Sequence, residues 1–345
     1  MMKLFKTLMA GALLAGSIAT NAAAEGKVVL YHWFEYIPQE LLTKFTEETG
    51  IEVVMDTYDS NEALLASLKA GAIGSYDLAV PGDYMVEIMG NQGLLGTFKP
   101  EELPNFKNIA KQWLDVSFDP GRSSSIPYQW GTTSFAVNRN VYGGDINHLS
   151  ILFDSPPELA GRINMLDAQN DVIALASMYL GIPQCTTDRE DLKALNALLT
   201  TAKKNWVSFN SDTTKDILVS NDVAASMVWN GFAARAREEG AKIEYAFPED
   251  GYILWMDNVV LLKDAPNREN ALAFMNFLLE PENIAAVSEY ARYNSGVVGA
   301  SEFMSAELRD TPELNAPENG KGQFVIVCDE EVQSIYDQIW TNVRK

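Results

Sequence analysis

The stretch Lys27 to Tyr58 reads K-V-V-L-Y-H-W-F-E-Y-I-P-Q-E-L-L-T-K-F-T-E-E-T-G-I-E-V-V-M-D-T-Y, and it restricts the fold more than any other part of the chain. Val28 to Tyr31 is a compact apolar strand. Pro38 stands in the first turn of a helix running through Phe45, Gly50 ends that helix, and Ile51 to Tyr58 is a second strand. A strand, one helix and a strand joined this tightly form a βαβ unit, so the two strands are expected to be parallel with a right-handed crossover.

The alternation then recurs. Ser60 can cap a helix through Ala70, Tyr76 to Val80 is a third strand, and Asp83 looks like the cap of a helix running toward Asn91. Arg162 to Leu166 reads as a strand and Asp171 to Leu180 as a helix. T-D-R-E, Thr187 to Glu190, reads as a capping box for a helix to about Lys203. A strand from Val223 to Trp229, a helix from Phe232 to Glu239, a strand from Asp257 to Leu262 and a helical region from Arg268, interrupted at Pro281, complete the pattern. No repeat or Gly/Ser linker interrupts it. A chain of 345 residues exceeds what one small core usually supports, so two α/β lobes are expected, with the chain crossing between them in extended segments.

In open α/β sheets ligands bind beyond the carboxyl ends of the strands. Trp33-Phe34-Glu35-Tyr36 follows the first strand, Pro81-Gly82-Asp83-Tyr84 the third, and Asp167 to Asp171 the Met165 strand. Trp229-Asn230-Gly231 closes the Met227 strand, and Trp255-Met256-Asp257 is a fifth cluster. Taken singly, each has an ordinary explanation. Trp33, Trp229 and Trp255 could be core, Asp83 and Asp171 helix caps, Glu35 a solvated loop acid and Asp257 a turn residue. Their recurrence at strand ends is harder to assign to packing. Acids alternating with ring faces suit an elongated organic cation: each carboxylate can receive a charge-assisted hydrogen bond worth about 1.5–3 kcal/mol, and each ring adds roughly 0.5–2 kcal/mol of cation–π attraction while covering methylenes.

The formal charge of −21 points the same way. Nucleic acid and anionic membrane surfaces are excluded as natural partners, while small cations are attracted. The opening M-M-K-L-F-K-T-L-M-A-G-A-L-L-A-G-S-I-A-T-N-A-A-A has two lysines, an apolar stretch and an A-x-A ending at Ala24, the pattern of a cleaved secretory signal over residues 1–24. No later stretch is apolar enough to span a membrane. Cys185 and Cys328 would both meet an oxidising compartment, either joined in one disulfide or apart; the sequence leaves both open.

Enzymatic chemistry finds little to use. His32 and His148 have no metal-type spacing, and there is no G-x-S-x-G elbow, P-loop or G-x-G-x-x-G after a strand. No cofactor, metal or catalytic residue is expected, and an exported enzyme is the weaker alternative. A ferric or hard-metal site would need clustered oxygen or His/Tyr donors rather than acids interleaved with rings.

L-Y-H-W-F-E-Y, F-T-E-E-T-G-I-E-V, Y-D-L-A-V-P-G-D-Y, S-I-P-Y-Q-W-G-T-T, W-M-D-N-V-V and A-F-M-N-F-L-L-E-P together resemble the periplasmic spermidine/putrescine-binding proteins of ABC importers, over essentially the whole chain after the leader. The resemblance implies an α/β, two-lobed periplasmic solute-binding protein fold with a ligand cleft between lobes. Lobe 1 is expected to span 25–133 with about 258–305, and lobe 2 134–257 with about 306–345. It implies a periplasmic protein, a monomer, that binds a polyamine and passes it to an ABC transporter membrane permease as the lobes close. Trp33, Tyr36, Tyr84, Trp229, Trp255 and Tyr293 resemble the aromatic walls; Glu35, Asp171 and Asp257 resemble amine-binding acids, and Asp83 joins them as a candidate. Gln323 resembles a terminal amide contact. The chain departs from the pattern where the family often has a small hydroxyl residue, at Gly82 or Asp83, where Ala168 replaces an acid, and where Asn230-Gly231-Phe232 lacks one. A diamine, a triamine, or a guanidino or amino-acid-like cation all remain open as ligands, as does an additional chemoreceptor partner.

Overall fold

The computed structural model describes residues 26–58 and 60–345. The secretory signal expected over residues 1–24 lies outside the described residues. Thirteen strands run in chain order: β1 (Gly26–Trp33), β2 (Ile51–Tyr58), β3 (Leu78–Ala79), β4 (Asp115–Val116), β5 (Asp119–Pro120), β6 (Ser125–Asn138), β7 (Ile163–Met165), β8 (Trp206–Phe209), β9 (Ala225–Trp229), β10 (Ile243–Tyr245), β11 (Tyr252–Leu261), β12 (Asn294–Ser295) and β13 (Gly322–Phe324). Eleven of them form one sheet in the order β2-β1-β3-β11-β6-β9-β7-β8, with β10 and β12 also on β6 and β13 on β11; β4 and β5 pair separately.

The opening βαβ unit folds as its sequence requires. β1 lies parallel to β2 and β3. Between β1 and β2 the helix Gln39–Thr49 buries Leu41, Leu42 and Phe45, and it ends at Gly50 in the left-handed conformation, with φ of 74°, where glycine carries no Cβ penalty. Pro38 is the residue just before this helix. At the far end β7 is parallel to β8 and β9. The central strands β11 and β6 are antiparallel to each other, and they join the two halves.

The cores divide as an α/β protein of two lobes should. Val28, Leu30, Ile51, Phe45, Phe274 and Ile284 belong to one buried cluster, and Phe135, Ile163, Val172, Leu175, Leu195 and Ile339 to another. Along β6, Ile126 and Tyr128 enter the first cluster and Phe135 and Val137 the second; along β11, Ile253 enters the second and Val259 and Leu261 the first. The chain thus passes between lobes inside two extended strands, as expected where no flexible tether exists. A third passage comes later than the sequence suggests: Leu308 and Leu314 still pack in the first cluster. Phe324 then lies against Trp113 and Phe118, and Val325 and Cys328 pack on the second cluster. Cys328 is disulfide-bonded to Cys185, closing a separation of 143 residues.

Three expected caps differ. The helix Asp83–Asn91 is preceded by Gly82 as its cap residue, with Asp83 inside its first turn. The helix Gln169–Leu180 begins after Ala168, two residues before Asp171. The helix Arg189–Ala202 is capped by Asp188, whose carboxylate receives the amides of Glu190 and Asp191, so Thr187 takes no part in a capping box. In the first two cases the acid's oxygens are engaged elsewhere, and both engagements belong to the site described next.

Candidate ligand site between the lobes

The site is organised by an irregularity in the middle of β6 and by β11 facing it. β11 pairs regularly with β6 through Met256, opposite Trp130, and resumes at Asn258, opposite Pro127; the register shifts between them, at Asp257. Asp257, expected at the start of a strand, therefore lies in the middle of one, opposite a bulge in which β6 sets two residues, Tyr128 and Gln129, against it. Its Oδ2 accepts the Tyr36 hydroxyl hydrogen at 2.8 Å. Tyr36 is buried and rests on Tyr128 and Tyr293, with ring centroids 5.4 and 6.0 Å away. Tyr293 in turn meets the Trp255 indole edge-on at 4.8 Å.

Two glycines permit this crowding. A Cβ on Gly131 would collide with the Trp255 ring and stand 2.5 Å from Asn230 Oδ1, and one on Gly231 would collide with the Tyr293 ring and stand 2.8 Å from the Arg292 carbonyl. Both distances are closer than a real Cβ approaches its neighbours. Asn230 receives the Thr132 amide, fixing the turn after β9 against β6.

On the second lobe, Asp171 accepts a hydrogen bond from the Thr133 hydroxyl at 3.2 Å. Thr133 is the ladder partner of Trp229, which half-buries its indole edge-on against Phe232. On the first lobe, Trp33 donates its indole hydrogen to the Val80 carbonyl at 2.7 Å and lies 4.7 Å from the Tyr58 ring. Tyr84 donates to Glu62 at 3.0 Å and accepts from Asn61. Asp83 is 4% exposed and receives two backbone amides, from Tyr84 at 2.6 Å and Met256 at 3.0 Å.

Electrostatically the site is a set of desolvated carboxyls. Burial pushes Asp257 up to about 7, against the lowering effect of the Tyr36 hydroxyl. Burial pushes Asp171 up to about 6, again opposed by its Thr133 hydrogen bond. Asp83 is raised furthest, to about 8, first by burial and then by the charges of Asp257 and Asp171; its two amide donors offset part of this. The mutual effect places carboxyls of both lobes within electrostatic reach of one another. Among the described residues none of the three forms an ion pair; Asp257 is bonded to the Tyr36 hydroxyl, Asp171 to the Thr133 hydroxyl and Asp83 to two backbone amides.

Of the residues singled out in the sequence, Tyr36, Asp257, Trp255 and Tyr293 form one contiguous group, Trp229 and Asp171 meet through Thr133, and Asp83 and Tyr84 adjoin Asp257 through Gly82 and Met256. Trp33 stands beside them at the end of β1. Glu35 stands apart: with φ of 50° it sits in a left-handed turn, is exposed, and lines an open recess with Arg235, Glu238, Glu289, Tyr290 and Arg292. Gln323 is exposed on β13. Thr133, Tyr58 and Tyr128 carry parts of the site that the sequence reading did not single out. The quoted run S-I-P-Y-Q-W-G-T-T held two of them, but only pairing in the sheet reveals their direction. His32 is a core residue: it is buried, bonded to the Trp33 carbonyl, and held neutral by burial at about 4.

Comparison with known proteins finds relatives over the whole described chain. The family model described as bacterial extracellular solute-binding protein matches residues 40–316. The spermidine/putrescine-binding periplasmic protein of Escherichia coli K12 is 34% identical, with 98% of this chain and 97% of that protein covered. The putrescine-binding periplasmic protein SpuD of Pseudomonas aeruginosa UCBPP-PA14 is 32% identical, with 100% and 99% covered. Among solved structures, the spermidine/putrescine ABC transporter substrate-binding protein PotD of Streptococcus pneumoniae superposes with a TM-score of 0.83 at 30% identity, covering 93% of this chain and 99% of that one.

Proposed function

We propose, from the premise that this chain belongs to the bacterial extracellular solute-binding proteins, that it captures a polyamine such as putrescine or spermidine and delivers it to the membrane permease of an ABC importer. The observation that carries the reading is the pair of desolvated carboxyls, Asp257 bonded to Tyr36 beside Tyr293 and Trp255, and Asp171 bonded to Thr133 beside Trp229. The names of the relatives and the PotD-like fold support the same ligand class.

In this reading one ammonium meets Asp257 and another meets Asp171, so the ligand bridges the lobes. Each bond is charge-assisted in a dry site, and the rings cover the methylenes between the charged ends at about 0.8 kcal/mol per buried CH₂. The ligand favours the closed arrangement because only there does it touch both acids, and closure is what the permease would recognise. Glu35, exposed in a separate recess with Arg235 and Arg292, takes no part in this binding. We take lobe 1 as residues 26–133 and about 255–320, and lobe 2 as 134 to about 254 with the remaining C-terminal segment. The protein acts as a periplasmic monomer after removal of residues 1–24.

Calorimetric titration with putrescine, cadaverine, spermidine and arginine tests the reading. Saturable 1:1 binding of at least one polyamine, lost on Asp257→Asn, is expected. Binding of arginine alone, or of none of the four, would overturn it.

A further inference from the structure

We infer that Asp83 is a positioning residue, which braces β11 where it faces the β6 bulge so that Asp257 faces the ligand, and that it does not itself bind an amine. The inference rests on the proposed polyamine site for its functional meaning, but its structural argument stands on the backbone.

A bulge leaves backbone groups without their ladder partners. Between Met256 and Asn258, Asp257 stands opposite both Tyr128 and Gln129 of β6, and the next residue, Pro127 opposite Asn258, has no amide hydrogen to give. The turn Pro81-Gly82-Asp83 fills the gap from the other side. The Asn258 amide donates to the Pro81 carbonyl at 2.9 Å, Gly82 forms a bridge with Asp257, and the Met256 amide donates to Asp83 Oδ2 at 3.0 Å across 173 residues of chain. Asp257 is thus held by a contact on each side, and one of the two is the Asp83 carboxylate.

The second oxygen is also committed. Asp83 Oδ1 accepts the Tyr84 amide at 2.6 Å, within the first turn of the helix Asp83–Asn91. One side chain therefore joins the start of that helix to the middle of β11, and both of its oxygens point at backbone donors while 4% of the residue is exposed. Only a carboxylate can serve here. An amide side chain would set its own NH₂ against one of two N–H groups, and a hydroxyl offers a single oxygen. An amide already occupies each oxygen and 4% of the residue is exposed, so Asp83 presents almost no open surface to an ammonium.

The test is Asp83→Asn, alone and combined with Asp257→Asn, read in two ways. In the ligand-free protein, hydrogen exchange at the Met256 amide should accelerate at least about tenfold in Asp83→Asn, while exchange in the β7–β8 pair is unchanged. In putrescine titrations, Asp83→Asn should weaken binding about tenfold in the wild-type background and less than about twofold once Asp257 is already Asn, because a residue acting through another has nothing left to position. Equal losses in both backgrounds would make Asp83 an independent amine ligand and overturn the inference, as would unchanged Met256 exchange. Should the wild-type protein bind no polyamine, the proposed function falls, and the exchange measurement alone still decides the brace.

Discussion

Tyr36 and Asp257 are 221 residues apart in sequence, and the phenol of one donates to the carboxylate of the other at 2.8 Å. The bond joins the start of the first βαβ crossover to the central strand β11, and it gives a half-buried carboxylate a hydroxyl donor. Removing it by Tyr36→Phe leaves the Asp257 oxygen without a partner in a desolvated site, a change that typically costs about 1–3 kcal/mol. Since this bond lowers the Asp257 pKa, the variant should hold Asp257 neutral to higher pH. Polyamine affinity near neutral pH should fall, and its pH midpoint should move upward. Titration of the variant between pH 6 and 9 checks both; an unchanged midpoint would separate Tyr36 from Asp257 functionally.

The raised carboxyls also fix the sign of the pH dependence. Asp171, Asp257 and Asp83 stand at about 6, 7 and 8, each raised chiefly by burial. Between the ordinary carboxyl range near 4 and these values the folded ligand-free protein binds more protons than the unfolded chain does, so its stability falls as pH rises through this window. The melting temperature of the ligand-free protein should therefore be higher at pH 5 than at pH 8. Ammoniums prefer the ionised acids, so polyamine binding at pH 7 should release protons and stabilise the protein more at pH 8 than at pH 5. Titrations in buffers of different ionisation enthalpy measure the release; proton uptake would contradict the assignment of Asp171 and Asp257 to the amines.

Much of this was legible in the sequence, and what was not has physical reasons. The crossover from β1 to β2 could be read because its apolar runs, Gly50 and the helical spacing of Leu41, Leu42 and Phe45 act locally. β6 could not. Its fourteen residues are nearly all buried, yet they include Pro127, Gly131 and polar Ser125, Gln129, Thr132, Thr133 and Ser134, so no alternation of polar and apolar residues marks it as a strand. The acids Asp171 and Asp257 could be read from their company of aromatics, but the bulge opposite Asp257 lies in β6, and the backbone beside Asp257 bonds to Asp83, far away in sequence. Glu35 reads as a site acid from its neighbours, while a left-handed turn at its own position carries it to the surface.

The disulfide between Cys185 and Cys328 closes a separation of 143 residues. Cross-linking so long a loop restricts the unfolded chain, and loss of a native disulfide typically costs about 2–5 kcal/mol. Cys185→Ser with Cys328→Ser should lower the denaturation midpoint in urea by that free energy. The segment held by Cys328 begins at Phe324, packed on Trp113 and Phe118 of the other lobe. Hydrogen exchange should therefore rise in β13 (Gly322–Phe324) before it rises in β1. A midpoint shifted by less than about 0.5 kcal/mol would show that the bond adds nothing to this fold.

Gly131 and Gly231 let two aromatic walls approach the backbone. A methyl at Gly131 would displace the Trp255 ring or Asn230, and one at Gly231 would displace Tyr293, whose edge supports Trp255. Overpacking of this kind costs typically about 1–3 kcal/mol, because neighbouring side chains must leave their rotamers. Either Gly→Ala change should lower the melting temperature. Each should also weaken polyamine binding beyond any effect on folding, because the displaced rings are those that cover the ligand's methylenes. Binding enthalpy measured well below the melting transition separates the two effects. Retention of full affinity in both variants would mean that Trp255 and Tyr293 pack the lobe without touching the ligand, and the aromatic half of the site would have to be sought elsewhere.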